Sequence, residues 1–128
     1  MTSPTAPFAI AIVTFNRSEL LDELLASAFA MEDPADFLVV VDNASTDDTQ
    51  EVVTRWQEKF GADVLINQRL DTNTGGAGGF SEGTRVALEL GAEWVWLMDD
   101  DVEVLPDARA RFAPWMQRFK VIHGRRYD

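Results

Sequence analysis

The sequence predicts an α/β fold: a doubly wound, largely parallel sheet with helices on both faces. Three observations carry that expectation. Short apolar runs alternate with segments of helical period, and such alternation implies right-handed crossovers between parallel strands. The runs are nearly continuous rather than alternately polar and apolar, so both faces of the sheet are covered. The unusual polar motifs each follow an apolar run, at the strand ends where parallel sheets gather ligands.

Phe8 to Phe15 is the first run and predicts a strand ended by Asn16. Ser18 is placed to cap the next helix, where Leu20, Leu21, Leu24, Leu25, Ala28 and Phe29 recur at helical spacing and Glu19 and Asp22 sit near the positive end of the dipole. Pro34 marks the turn behind it. Phe37 to Val41 predicts a second buried strand and Asp42 to Ser45 a polar bend. Thr46 is placed to cap a helix that carries Val52, Val53, Trp56 and Phe60 on one face and stops at Gly61.

Asp63 to Asn67 predicts a short third strand, followed by a glycine-rich loop from Gln68 to Gly79. A helix is expected from Phe80 to Leu90, with Gly91 behind it. Trp94 to Met98 predicts the fourth strand, ending in Asp99, Asp100 and Asp101. Pro106 and Asp107 open a last helix with Phe112, Trp115, Met116 and Phe119 as its apolar residues, which Pro114 would interrupt or kink. Val121 to Tyr127 has the pattern of a further strand.

The 128 residues suffice for one domain, expected over residues 8–128 behind a disordered tail at 1–7. The strand at the carboxyl end predicts a domain that is incomplete there. No cysteine is present, which excludes disulfide scaffolds, thiolate zinc, iron–sulfur clusters and cysteine nucleophiles. A net charge of −11 argues against general affinity for nucleic acid or anionic membrane. The charge is uneven: residues 1–107 hold 21 acidic and 5 basic side chains, and residues 108–128 hold 1 acidic and 6 basic. The amino terminus lacks a basic cluster, and the run from Phe8 is too short to span a bilayer, so a cytoplasmic location is expected.

Three consecutive aspartates are costly unless a cation or a cap offsets their repulsion. Successive strand residues face opposite ways, which puts Asp99 and Asp101 on one side and Asp100 on the other. Oxygen ligands without Cys or His nearby suit Mg2+ or Mn2+; the bland alternative is an acidic turn that caps the helix after Pro106. The spacing, central glycine and terminal glutamate of a calcium loop are lacking.

Asn73 to Phe80 offers amides unshielded by side chains beside a helix N-terminus, a cradle for phosphate or sugar oxygens or merely a flexible turn. It is neither a dinucleotide fingerprint, which belongs after the first strand, nor a P-loop, which needs Gly-Lys-Ser or Gly-Lys-Thr. Asp42 can accept a hydrogen bond from a ligand N–H such as a uracil imide, although Asp42 or Asn43 can equally close an Asx turn. Phe15 and Arg17 follow the first strand, where a ring packs on a base and a guanidinium meets a diphosphate; packing and solvent are the alternatives. His123, Arg125 and Arg126 read as packing or surface residues.

Taken in order, Ile-Val-Thr-Phe-Asn-Arg (12–17), Val-Val-Asp-Asn-Ala-Ser-Thr-Asp (40–47), Asn-Thr-Gly-Gly-Ala-Gly-Gly-Phe (73–80) and Trp-Val-Trp-Leu-Met-Asp-Asp-Asp (94–101) resemble the nucleotide-sugar-binding half of family 2 glycosyltransferases. The resemblance implies the GT-A fold, which is Rossmann-like. Within the family, the glycine segment and the aspartate triplet look most like bacterial galactofuranosyltransferases of cell-wall synthesis, while related rhamnosyltransferases share much of the pattern.

The resemblance implies a site residue by residue. Thr14, Phe15 and Arg17 would surround uridine and diphosphate; Asp42 or Asn43, with Asn73, would lie near base and ribose. Gly75 and Gly76 would line the donor. Asp99 and Asp101 would bind Mn2+ or Mg2+, with Asp100 nearer the ribose or donor sugar. The general base is expected beyond Asp128, so the 128 residues alone are expected to bind UDP and metal weakly or not at all and to be inactive.

The implied reaction is inverting transfer from a UDP-sugar to a glycan or lipid-linked glycan acceptor. Membrane contact, at the inner face, is expected only through further sequence or the acceptor. Two other classes compete: a nucleotidyltransferase, which would carry a glycine-rich basic loop after the first strand, and a phosphoacceptor module, which would place its acidic pair there. An inactive fragment is compatible with the family.

Overall fold

The structure is a computed structural model that describes residues 7–116 and Arg118. The expected tail before Pro7, Phe119, the strand from Val121, His123, Arg125 and Arg126 lie outside the described residues. The elements run β1 (Phe8–Thr14), α1 (Ser18–Phe29), β2 (Phe37–Asp42), α2 (Thr49–Phe60), β3 (Leu65–Arg69), α3 (Gly75–Glu89), β4 (Trp94–Asp99) and α4 (Ala108–Met116). The four strands form one parallel sheet in the order β3-β2-β1-β4.

Burial follows the two-residue period of a strand. Phe8, Ile10 and Ile12 of β1, with Leu38 and Val40 of β2, pack under Leu21, Leu24 and Leu25 of α1 and Val52 and Val53 of α2; Ala108 of α4 joins the same layer. Ala9 and Val13, with Val39 and Val41, pack under Val86 and Ala87 of α3 on the other face. Helices thus cover both faces, as the continuous apolar runs require.

The glycine segment differs most from expectation. Gly75, Gly76, Gly78 and Gly79 are not a loop before Phe80; they form the first turns of α3. Sheet packing overrides their poor helix propensity. A Cβ on Gly79 would stand 2.6 Å from Val13 Cγ1, and one on Gly83 would stand 3.1 Å from Ala11 Cβ, so α3 lies against the sheet only because both positions are bare. A Cβ on Gly76 would meet nothing within 4 Å. Gly79→Ala is therefore expected to cost about 1 to 3 kcal/mol through overpacking, while helix propensity returns at most ~1 kcal/mol. Gly76→Ala should be neutral or slightly stabilising. Urea unfolding of both variants checks this, and equal midpoints would show that α3 tolerates a wider spacing.

Three boundaries move. Ser18 is the first residue of α1 rather than its cap; Arg17 occupies the cap without a side-chain hydrogen bond. Thr46 does not cap α2, which starts at Thr49. Strand β3 begins at Leu65, two residues later than expected, after a turn in which Gly61 at φ 105° accepts from the N–H groups of Val64 and Leu65. Helix α4 continues through Pro114 to Met116.

Candidate functional site

The register pairs Thr14 with Asp42 and Val13 with Asp99, so the motif-bearing ends of β1, β2 and β4 lie side by side. Asp100, just past β4, is 4% exposed, whereas Asp99 and Asp101 face solvent. The Thr14 hydroxyl donates to Asp100 Oδ2 at 2.8 Å, and Arg17 Nη1 donates to Oδ1 at 3.2 Å. Asp100 thereby ties β4 to β1 and restrains the exposed guanidinium of Arg17.

At the end of β2 the two candidates part. Asp42 is 0% exposed; its Oδ1 accepts from Ser45 N–H at 2.9 Å and its Oδ2 from Gln50 Nε2 at 2.7 Å. Its carboxylate closes the polar bend and lines neither of the two hollows described below. Asn43 instead reaches α3, donating from Nδ2 to the Gly75 carbonyl at 3.0 Å and accepting at Oδ1 from the Thr74 N–H and hydroxyl, each at 3.0 Å. Asn73 accepts from Gly75 N–H at 2.8 Å. The first amides of a helix have no partner within it, which leaves Gly76 and Ala77 as open donors in the turn.

These ends border an open surface cavity of about 240 Å³ lined by Val13, Thr14, Phe15, Arg17, Asn43, Asn73, Gly75, Gly76 and Asp100. Every candidate residue except Asp42, Asp99 and Asp101 is on that wall. Asp101 lines a neighbouring hollow of about 370 Å³ with Leu20, Glu23, Asp100, Val102 and Glu103. Asp100 borders both. The arrangement offers a ring face at Phe15, one cation at Arg17 and the α3 dipole, which together suit an aromatic base joined to an anion.

Asp99 and Asp101 supply oxygen donors of the kind a hard divalent cation takes, and of the two Asp101 alone lines one of the hollows just described. Both are solvent-facing carboxylates, and within the described residues neither is taken up by a hydrogen bond or ion pair. Among those residues no group of three or more His, Cys, Asp or Glu side chains is placed to hold a metal ion. Mg2+ and Mn2+ commonly use one or two carboxylates with substrate phosphates and water, so two carboxylates do not disqualify the site.

Two residues that brace the site escaped the sequence reading. Asn16, at φ 50°, accepts at Oδ1 from Thr46 N–H at 2.7 Å and Asp47 N–H at 3.3 Å, and its own N–H donates to Ser45 Oγ at 2.9 Å. Asp47 accepts from the Thr49 N–H at 3.0 Å and hydroxyl at 2.5 Å, and from Ser18 N–H at 3.4 Å, so one carboxylate serves the starts of α2 and α1. An Asp two residues before Thr is a local signal; the 29-residue separation from Ser18 is not.

Desolvation raises the Asp47 pKa, but the hydrogen bonds from Thr49 and Ser18 outweigh it and leave the group below its usual value of 3.8. A lowered folded pKa means that Asp47 adds stability above the unfolded value and loses it as pH falls through the folded one. Thermal unfolding should therefore show wild type losing its margin over Asp47→Asn below about pH 4, the ordinary Asp range. A constant margin down to the fully protonated state would contradict this role.

The model of "Glycosyl transferase family 2" matches residues 9–128. The galactofuranosyltransferase GlfT1 of Mycolicibacterium smegmatis is 41% identical over 90 residues, 70% of this chain and 28% of that protein. The poly(ribitol-phosphate) beta-N-acetylglucosaminyltransferase TarS of Staphylococcus aureus is 34% identical over 110 residues, 80% of this chain and 18% of that protein. The chain therefore spans less than a third of the length of these curated relatives.

Among solved structures, the mannosyltransferase PcManGT from Pyrobaculum calidifontis, in complex with GDP-Man and Mn2+, superposes with a TM-score of 0.79 at 27% identity, over 89% of this chain and 33% of that one. S. aureus TarS 1–349 in complex with UDP-GlcNAc gives 0.70 at 29%, over 86% and 31%. The sheet is thus the parallel α/β sheet of GT-A glycosyltransferases, and with a family model matched from Ala9 onward the chain belongs to glycosyl transferase family 2.

Proposed function

We propose that the chain is the donor-binding part of a glycosyltransferase that uses a UDP-sugar, with galactofuranose as the sugar and a glycan or lipid-linked glycan as acceptor. The observation that carries this reading is the cavity itself. Sequence motifs more than 80 residues apart converge on one wall, from Thr14 to Asp100, at the carboxyl ends of a parallel sheet. The GlfT1 relatives support the sugar, and the UDP-GlcNAc complex of TarS supports uridine, whereas the GDP-Man complex of PcManGT sets a guanosine donor on the same kind of sheet.

In this reading Phe15 packs on the base, and Asn73 meets the ribose. The Gly76 and Ala77 amides and Arg17 receive diphosphate oxygens. Asp100 serves by holding Thr14 and Arg17, because both of its oxygens are already engaged. A divalent ion, Mn2+ or Mg2+, held by Asp99 and Asp101 would neutralise the diphosphate and stabilise it as leaving group. Attack by the acceptor hydroxyl in line with the departing UDP forms the new glycosidic C–O bond as the anomeric carbon–phosphate oxygen bond breaks, inverts that carbon, and passes the hydroxyl proton to a base. No general base is assigned among these 128 residues.

No described helix is long and apolar enough to cross a membrane. A cytoplasmic setting, at the inner membrane face when the acceptor is lipid-linked, is part of the same proposal. Calorimetric competition between UDP and GDP tests the base preference. UDP should bind at least about tenfold tighter, ~1.4 kcal/mol; equal or reversed affinity would overturn the assignment to a UDP-sugar.

A further inference from the structure

Asn43 is 3% exposed and lies on the cavity wall, and both ends of its side-chain amide are engaged by the protein, with one N–H of Nδ2 left over. Oδ1 accepts twice from Thr74, the residue that caps α3, and Nδ2 donates to the carbonyl of Gly75, the first residue of that helix. The Asn43 N–H is held by the Thr14 carbonyl at 3.0 Å, so the side chain projects from a fixed point at the end of β2. It is also hemmed in: a Cβ on Gly79 would come within 3.3 Å of Nδ2. The turn it grips supplies the Gly75 and Gly76 wall of the cavity.

We propose that Asn43 is a positioning residue: it fixes the first turn of α3 against the end of β2 and thereby aims the Gly76 and Ala77 amides at a nucleoside diphosphate. This rests on the donor-site reading above and replaces, for Asn43, a direct contact with base or ribose. Both ends of the amide are needed. An acceptor alone holds Thr74 but leaves the Gly75 carbonyl free, and a carboxylate beside that carbonyl repels it.

The test uses the whole 128-residue chain labelled with 15N, with UDP and Mg2+ as the probe. In Asn43→Ala, hydrogen exchange at the Thr74 amide should accelerate, the Gly75 to Ala77 signals should move, and UDP affinity should fall about tenfold, the worth of one good hydrogen bond. Asn43→Asp should keep Thr74 protected but shift Gly75 to Ala77 and weaken UDP at neutral pH. As the introduced carboxyl is protonated it regains a donor, so both signals and affinity should return towards wild type measured at the same pH. Arg17, Asp42 and Asp100 surround the site in both proteins and cancel in that ratio. Weaker UDP binding with unmoved Gly75 to Ala77 signals would overturn positioning in favour of direct contact, and unchanged Thr74 exchange in Asn43→Ala would overturn the latch. If wild type does not bind UDP, the donor reading fails while the exchange measurements still decide the latch. Should neither variant fold, Thr74→Val removes the hydroxyl link alone and carries the same expectations at smaller size.

Discussion

UDP should bind the doubly substituted Asp99→Ala/Asp101→Ala chain equally well with and without Mn2+, whereas the wild-type chain should bind about tenfold tighter or more when the ion is present, ~1.4 kcal/mol. The physical basis is charge. Residues 1–107 carry 21 acidic and 5 basic side chains, and at the cavity Arg17 is already paired with Asp100. A diphosphate approaching that surface is repelled, and at a few ångströms such terms reach about 4 kcal/mol per charge pair in a partly screened setting. Asp99 and Asp101 are solvent-facing, so their replacement should leave unfolding nearly unchanged. Calorimetry with and without Mn2+ separates the outcomes: ion dependence that survives the double substitution would place the metal elsewhere.

Arg109→Ala should destabilise the chain by about 2 to 5 kcal/mol, combining a charged hydrogen bond of roughly 1.5–3 kcal/mol with a cation–π contact of roughly 0.5–2 kcal/mol. The side chain leaves α4 at the amino-terminal end of the sheet and is nearly buried. There Nη1 donates to the Pro34 carbonyl at 2.5 Å, Nη2 to Asp36 Oδ2 at 3.4 Å, and the guanidinium lies 5.0 Å from the Phe8 ring centre. Asp36 in turn accepts from the Phe8 N–H at 2.7 Å, so one cation joins α4, the loop before β2 and the start of β1. Asp33 and Asp36 are exposed enough to be rehydrated, so their ion pairs add little. Arg109→Lys keeps the charge but lacks the fork and should recover less than half of the loss. Urea unfolding measures both variants, and a loss under about 1 kcal/mol would contradict the pinning role; typical total stability is only ~5–15 kcal/mol.

The strands most legible in the sequence were those most covered. Ala9 to Val13 and Leu38 to Val41 are buried on both faces, so their apolar runs needed no context. The grouping of the motif-bearing strand ends into one candidate site was legible because the carboxyl-end rule of parallel sheets converts strand ends into neighbours. The glycine segment was misread because its propensity points to a loop, while the bareness of Gly79 and Gly83 serves contacts with Val13, Ala11 and Val41 that no local window contains. Caps failed for the same reason: Asn16 and Asp47 act across 29 to 31 residues. Asp42 and Asn43 offered two open alternatives at the same strand end, and only the structure separates them: Asp42 closes its own turn, while Asn43 reaches α3 from the cavity wall.

Titration of the 15N-labelled chain with UDP and Mg2+ to millimolar concentration is the most direct measurement of whether the cavity at the carboxyl ends receives a nucleoside diphosphate. Saturable movement should appear at Phe15 to Arg17, Asn43, Asn73 to Ala77 and Asp99 to Asp101, with a dissociation constant on the order of 1 mM, about −4 kcal/mol. No movement at that concentration, or movement centred on the stacked rings of Phe29, Trp56 and Phe60 on the α1–α2 face, would contradict the account.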